Sequence, residues 1–123
     1  MPEATMLIVD DSKLSRMMVR AIVKQVQGDW NIIEAENGED ALVKSEAETV
    51  DIMTLDYNMP GMDGLTLAEH MRQRFPDASI ALLTANIQDT IRLRAESAGV
   101  GFIQKPITED KIAEFVDVHN GTH

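Results

Sequence analysis

Five times along this chain a short apolar run gives way to a stretch with helical spacing, and the two kinds alternate from one end to the other. Met6-Leu7-Ile8-Val9 is the first run, and it ends in Asp10-Asp11. A helical stretch follows over about 12–27, with Leu14, Met17, Met18, Ala21 and Ile22 at the i, i+3, i+4, i+7, i+8 spacing of an amphipathic helix. Gly28-Asp29 breaks it. The second strand is expected at Asn31–Ala35, then an Asn37-Gly38 turn and a short helix over 39–46. The third pair is a strand over 51–56 and a helix over Gly64–Arg74, stopped by Phe75-Pro76. Ser79–Thr84 forms the fourth strand. A helix over 87–98 stacks Ile87, Ile91, Ala95 and Ala98 on one face and meets Gly99, a natural left-handed cap. Gly101–Gln104 is the fifth strand. Thr108 caps a last helix carrying Ile112, Phe115 and Val116, with Glu109 and Asp110 in the first turn, where the helix dipole favours acids.

The links are short, and no low-complexity linker or larger repeat interrupts the alternation. The strands are continuously apolar rather than alternating, which argues for a parallel sheet covered on both faces. The fold class is therefore α/β, an open doubly wound five-stranded sheet with five helices and ligands expected at the carboxyl ends of the strands. A chain of 123 residues can bury one core. There are no cysteines, which removes disulfides and thiolate metal sites and suits a cytoplasmic protein. No apolar run approaches the roughly 20 residues of a spanning helix, so membrane insertion is not expected. A net charge of −10 disfavours direct binding to nucleic acid and points to small cations or basic protein surfaces.

The residues that terminate the strands carry the chemistry. Asp10-Asp11 ends the first, Asp56 the third, Thr84 the fourth and Lys105-Pro106 the fifth; the second ends blandly. In a parallel sheet these ends share one edge, so three carboxylates, a hydroxyl and an ammonium converge. Two carboxylates about 5 Å apart repel by roughly 3 kcal/mol at an effective dielectric near 20. Three therefore need a cation or a proton in order to coexist. Lys105 supplies one charge and a divalent ion would supply the remainder. Carboxylates, a carbonyl and waters describe a Mg²⁺ site with positions left open for phosphate oxygens. A carboxylate nucleophile, Mg²⁺, a lysine and a hydroxyl are together a kit for phosphoryl transfer. Each residue alone has a plainer role: Asp10 or Asp11 as a helix cap, Asp56 as a turn former, Lys105 as a surface charge. Their joint placement favours the chemical reading.

These motifs resemble the receiver domain of bacterial two-component response regulators, especially the single-domain chemotaxis type. The resemblance rests on Asp10-Asp11, on Asp56 with Met59-Pro60-Gly61-Met62-Asp63-Gly64, on Thr84-Ala85 and on Lys105-Pro106. It covers about residues 4–118, with 119–123 as a tail. It implies a flavodoxin-like sheet of order 2-1-3-4-5 and makes Asp56 the phospho-acceptor. Asp11 and Asp56 would ligate Mg²⁺ by carboxylate, Asp10 mostly through water and Asn58 through its carbonyl. Thr84 and Lys105 would bind the phosphoryl group, and Lys105-Pro106 would be a cis peptide. Phe102 falls at the position of a switch aromatic, without a tyrosine hydroxyl. Asn58 and Asn86 occupy positions that modulate phosphoryl lifetime.

The implied function is a phosphorylation-controlled switch. A histidine kinase or phosphotransfer protein would donate the phosphoryl group, and a downstream protein would read the face formed by helix four, strand five and helix five. Leu93, about half a turn off the apolar stripe of helix four, is expected to be exposed there. His70, His119 and His123 are expected on a surface helix or in the tail. Beyond promoting its own phosphoryl transfer and dephosphorylation, no enzymatic activity is implied. The same sequence is also compatible with a receiver cut from a longer regulator with a DNA-binding or enzymatic output domain. Two rivals belong to other classes. A Mg²⁺-dependent aspartyl-nucleophile phosphatase would carry a second Asp at position 58, where this chain has Asn58. A flavodoxin-like redox carrier would want a Ser/Thr/Gly-rich loop in place of Asp10-Asp11 and more aromatic residues than 4%.

Overall fold

A computed structural model describes residues 4–85 and 87–121. Its elements alternate as the pattern demands: β1 Thr5–Val9, α1 Lys13–Val26, β2 Asn31–Ala35, α2 Gly38–Lys44, β3 Ile52–Asp56, α3 Gly64–Arg74, β4 Ser79–Thr84, α4 Asp89–Ser97, β5 Gly101–Gln104 and α5 Glu109–Asn120. All strand pairs are parallel, and the sheet order is β2-β1-β3-β4-β5. β1 and β3 are buried throughout, as central strands covered on both faces must be.

Successive side chains on a strand point to opposite faces, so each strand feeds two cores. Leu7, Val9, Met53, Leu55 and Leu82 join Leu65, Leu67 and Met71 of α3 on one face. Met6, Ile8, Ile52 and Leu83 join Val19 and Val23 of α1, with Ile112 and Val116 of α5, on the other. Four helices have side-chain N-caps: Ser12, Asn37, Asp63 and Thr108 each accept a backbone N–H three residues on. Gln88 makes no such bond at the start of α4. The guanidinium of Arg72 donates to four carbonyls, those of Pro76, Ala78, Ala98 and Gly99 (2.7–2.9 Å), and so ties α3 to the C-terminal end of α4.

Helix α1 departs from the pattern. Leu14, Met17, Met18 and Ala21 face solvent, with Leu14 68% exposed, while Val19 and Val23 enter the core. Apolar residues lie on several sides of this helix, so spacing alone selects no unique inward face. The two candidate stripes are roughly half a turn apart. Branched Val19 and Val23 meet the sheet because Arg16, Arg20 and Lys24 must run along the flank beside β2. There they reach Glu34 and the Trp30 carbonyl. The cap of α1 is Ser12, so neither Asp10 nor Asp11 serves as the plain helix cap.

At the other end of the chain, α5 continues through Asn120, so His119 belongs to a helix rather than to a tail. Its Nδ1 lies 2.7 Å from Ser79 Oγ, and its ring meets Trp30 edge-on. On α4, Ala95 is buried and Leu93 is exposed, and Gly99 beyond it has a positive φ, as expected, but the helix begins at Asp89, so Ile87 precedes it rather than joining its apolar face. Among the described residues no helix is long and apolar enough to cross a membrane.

Candidate functional site

The carboxyl edge of the sheet gathers its polar residues by strand register. Val9 pairs with Leu55, and Asp56 pairs with Leu83, so the ends of β1, β3 and β4 lie side by side. The Lys105 N–H donates to the Thr84 carbonyl (2.9 Å), which brings the residue after β5 to the same edge. Asp10, Asp56 and Thr84 are buried, Asp11 is exposed and Lys105 is half-buried. One oxygen each from Asp10, Asp11 and Asp56 lie within 4.8 Å of one another. Lys105 Nζ donates to Asp56 Oδ1 at 2.7 Å, and the Lys105-Pro106 peptide is cis.

Burial of Asp10 pushes its carboxyl up from 3.8 to about 6. The Ser12 N–H on Oδ1 (2.9 Å) opposes that rise, Asp56 adds to it, Lys105 opposes it and Asp11 adds to it. Asp10 Oδ2 is buried and has no hydrogen-bond partner among the described residues. An orphaned carboxylate oxygen beside two more acids is what a hard cation would satisfy, and the all-oxygen donor set fits Mg²⁺.

The loop that follows Asp56 is held by close backbone approach. Tyr57 N–H donates to the Leu83 carbonyl and Gly64 N–H to the Tyr57 carbonyl (2.9 and 3.0 Å). A methyl group on Gly64 would collide with the Asp56 carbonyl oxygen, so glycine is required there. Gly61 turns with φ +80°, a conformation that favours glycine. Asn58 is exposed on this loop. Away from the edge, Phe102 is half-buried on β5 beneath the Arg92 guanidinium, 5.9 Å from the ring centroid. Leu93 lies on the outer face of α4. Asn86 lies outside the described residues.

The sequence reading missed one contact: Arg16 Nη1 donates to the Asp10 carbonyl at 2.6 Å. Its only signal was the four-residue spacing of Arg16, Arg20 and Lys24.

The family model for the response regulator receiver domain matches residues 6–117. The chain belongs to that family. As a receiver domain it is 35% identical over 113 residues to the chemotaxis protein CheY of Bacillus subtilis, covering 90% of this chain and 92% of that protein. It is 40% identical over 105 residues to the cyclic di-GMP phosphodiesterase response regulator RpfG of Xanthomonas campestris, covering 82% of this chain but 28% of that longer protein. Among solved structures, the CheX-CheY-BeF3-Mg complex from Borrelia burgdorferi contains a similar chain, with a TM-score of 0.84 and 29% identity over 95% of this receiver domain and 89% of that chain. Receiver domains are phosphorylation switches of two-component systems that bind Mg²⁺ at an acidic pocket, and Asp10, Asp11 and Asp56 form an acidic cluster here that could hold a metal ion.

Proposed function

We propose that this receiver domain accepts a phosphoryl group on Asp56 from the phosphohistidine of a kinase or phosphotransfer protein, and signals to a downstream protein through α4, β5 and α5. The observation that carries this reading is the Lys105 ammonium 2.7 Å from Asp56 Oδ1, beside two further carboxylates at one sheet edge. A carboxylate oxygen of Asp56 forms the new O–P bond as the P–N bond to the donor imidazole breaks. The bonding electron pair leaves with that ring, which takes a proton from solvent. Lys105 neutralises one equatorial oxygen in the transition state, and the Thr84 hydroxyl donates to another. Bound by the Asp11 and Asp56 carboxylates, by Asp10 mostly through water and by the Asn58 carbonyl, Mg²⁺ would supply the remaining positive charge. Asn58 and Asn86 set how readily water reaches the aspartyl phosphate.

The product adds about one negative charge and three acceptor oxygens. Thr84 and Lys105 follow those oxygens, β5 and the start of α4 move with them, and Phe102 turns inward. A shift of a few kcal/mol between two states is enough to change their populations usefully. Leu93 then contributes an apolar contact to the partner in the cytoplasm. The deciding test is labelling by radioactive acetyl phosphate with Mg²⁺. Wild-type protein should be labelled and Asp56→Asn should not; equal labelling rates would overturn the assignment.

A further inference from the structure

The β1–α1 link places the acids, and its backbone is held from outside the pocket. Helical hydrogen bonding in α1 begins with the Ser12 carbonyl, which accepts the Arg16 N–H at 3.1 Å. The Asp10 carbonyl lies two residues earlier, beyond reach of the helix ladder. Arg16 Nη1 bonds that carbonyl at 2.6 Å. One residue therefore closes the first turn with its backbone and grips the preceding peptide with its side chain.

The guanidinium is itself anchored. Arg16 Nε donates to Glu34 Oε1 at 3.1 Å, and the Arg16 side chain is only 15% exposed. Glu34 sits on β2, whose last residue accepts the Asp10 N–H through the Ala35 carbonyl (3.1 Å). Asp10 is thus held on both of its backbone groups, by β2 directly on one side and by β2 through Arg16 on the other. Arg20 supplies an internal control. It also pairs with Glu34, at 3.2 Å, but is more exposed, and its bonds run to Glu34 and not to Asp10.

We infer that Arg16 is a positioning residue for the acidic pocket: by fixing the Asp10-Asp11 peptide through the Asp10 carbonyl, it sets the directions from which both carboxylates reach the cation. This inference rests on the phosphoryl-transfer reading of the pocket. The peptide plane between Asp10 and Asp11 orients both Cα–Cβ bonds, and the Ser12 N–H orients only one oxygen of Asp10. Releasing the carbonyl frees the plane to rotate and spreads the acids over alternative arrangements. Outer contacts that orient metal ligands commonly carry tenfold or more in affinity. A guanidinium can hold Glu34 and the carbonyl together through separate nitrogens; a lysine ammonium has one nitrogen to reach both.

The test is Mg²⁺ affinity by isothermal titration calorimetry at pH 8, on the folded 123-residue chain, alongside urea midpoints. Arg16→Met should weaken Mg²⁺ about tenfold, Arg16→Lys about threefold, and Arg20→Met less than about twofold. A merely structural Arg16 would lower the urea midpoint and leave the Mg²⁺ affinity of the folded fraction at the wild-type value. That result would overturn the inference, as would equal effects of Arg16→Met and Arg20→Met. Should Arg16→Met fail to fold, Arg16→Lys alone decides: wild-type affinity in that variant overturns the inference. Wild-type protein that binds no Mg²⁺ would instead overturn the underlying reading, and the inference with it. Normal Mg²⁺ binding by wild type with no Arg16 effect removes the inference only.

Discussion

Helices α3 and α4 pack against the same core, yet they are held in very different ways. α3 buries Leu65, Leu67, Ala68 and Met71, begins under an Asp63 cap, and approaches the Asp56 carbonyl so closely that only glycine fits at position 64. α4 fully buries Ala95 alone, begins without a side-chain cap, and leans on α3 through Arg94 and Glu69 at 2.8 Å. The exposed Arg94–Glu69 pair adds little. A helix follows each of the strands ending in Asp56 and Thr84, one firm and one lightly held. Firmness here comes from burial and capping, since neither helix is strongly amphipathic. Asp56 therefore sits on the rigid side of the pocket, and the Thr84 hydroxyl sits on the yielding side.

Substitutions can break this contrast, and the largest effect belongs to the firm helix. Met71→Ala should lower unfolding free energy by about 2–5 kcal/mol in urea denaturation, because it opens a cavity beneath α3. An effect below 1 kcal/mol would dissolve the distinction between the helices.

A pH series in cation-free buffer comes next. The Asp10 carboxyl stands at about 6 in the folded protein against an ordinary 3.8, so the folded state keeps a proton that the unfolded chain has released in that window. Stability should accordingly fall as pH rises from about 4 to 6 and level off above it, by a total on the order of 2–3 kcal/mol. Amide exchange read across the same series should follow this loss in α3, whose buried residues and cap favour opening together with the whole domain. In α4, local opening should dominate and blunt the dependence.

Gly64→Ala should cost about 1–3 kcal/mol by crowding the Asp56 carbonyl and Leu82, measured by the shift in urea midpoint. Smaller again is the difference in caps. Asp63→Ala should lose about 1 kcal/mol, and Gln88→Asp should gain up to about 1 kcal/mol by giving α4 the cap it is missing, both read from thermal midpoints. Leu93→Ala should change stability by less than about 0.5 kcal/mol, since its side chain meets solvent. Partner binding should nonetheless weaken if α4 forms the output face.

Much of this contrast was legible in the amino-acid order. Continuous apolar runs marked the strands, and the residues closing them named the pocket edge. Of the expected Ile87-Ile91-Ala95-Ala98 stripe, Ile91, Ala95 and Ala98 turn toward the core, while Ile87 precedes α4. Strand order came from the family resemblance, because alternation alone does not specify which strands are neighbours. The α1 face was not legible, since apolar side chains surround that helix and long-range contacts to β2 and α5 select among them. His119 was hidden for the same reason: its partners, Ser79 and Trp30, lie 40 and more residues away. Arg16 looked like any charge on a solvated flank, and only the path of the β1–α1 link showed that it reaches a backbone carbonyl.

The four carbonyl bonds of Arg72 have a mechanical consequence. Two of them grip Ala98 and Gly99, immediately past the last turn of α4, while the opposite end of that helix is uncapped. A rod anchored at one tip moves by pivoting. Nine residues make a lever about 13 Å long, so a tilt of roughly 10° about the Arg72 fulcrum carries the free tip through about 2 Å. That free tip is the one joined to β4 through the segment after Thr84, and the fulcrum lies at the far end from the pocket. Small displacements at the pocket would therefore be converted into rotation of the exposed surface of α4, with Leu93 travelling partway along the arc.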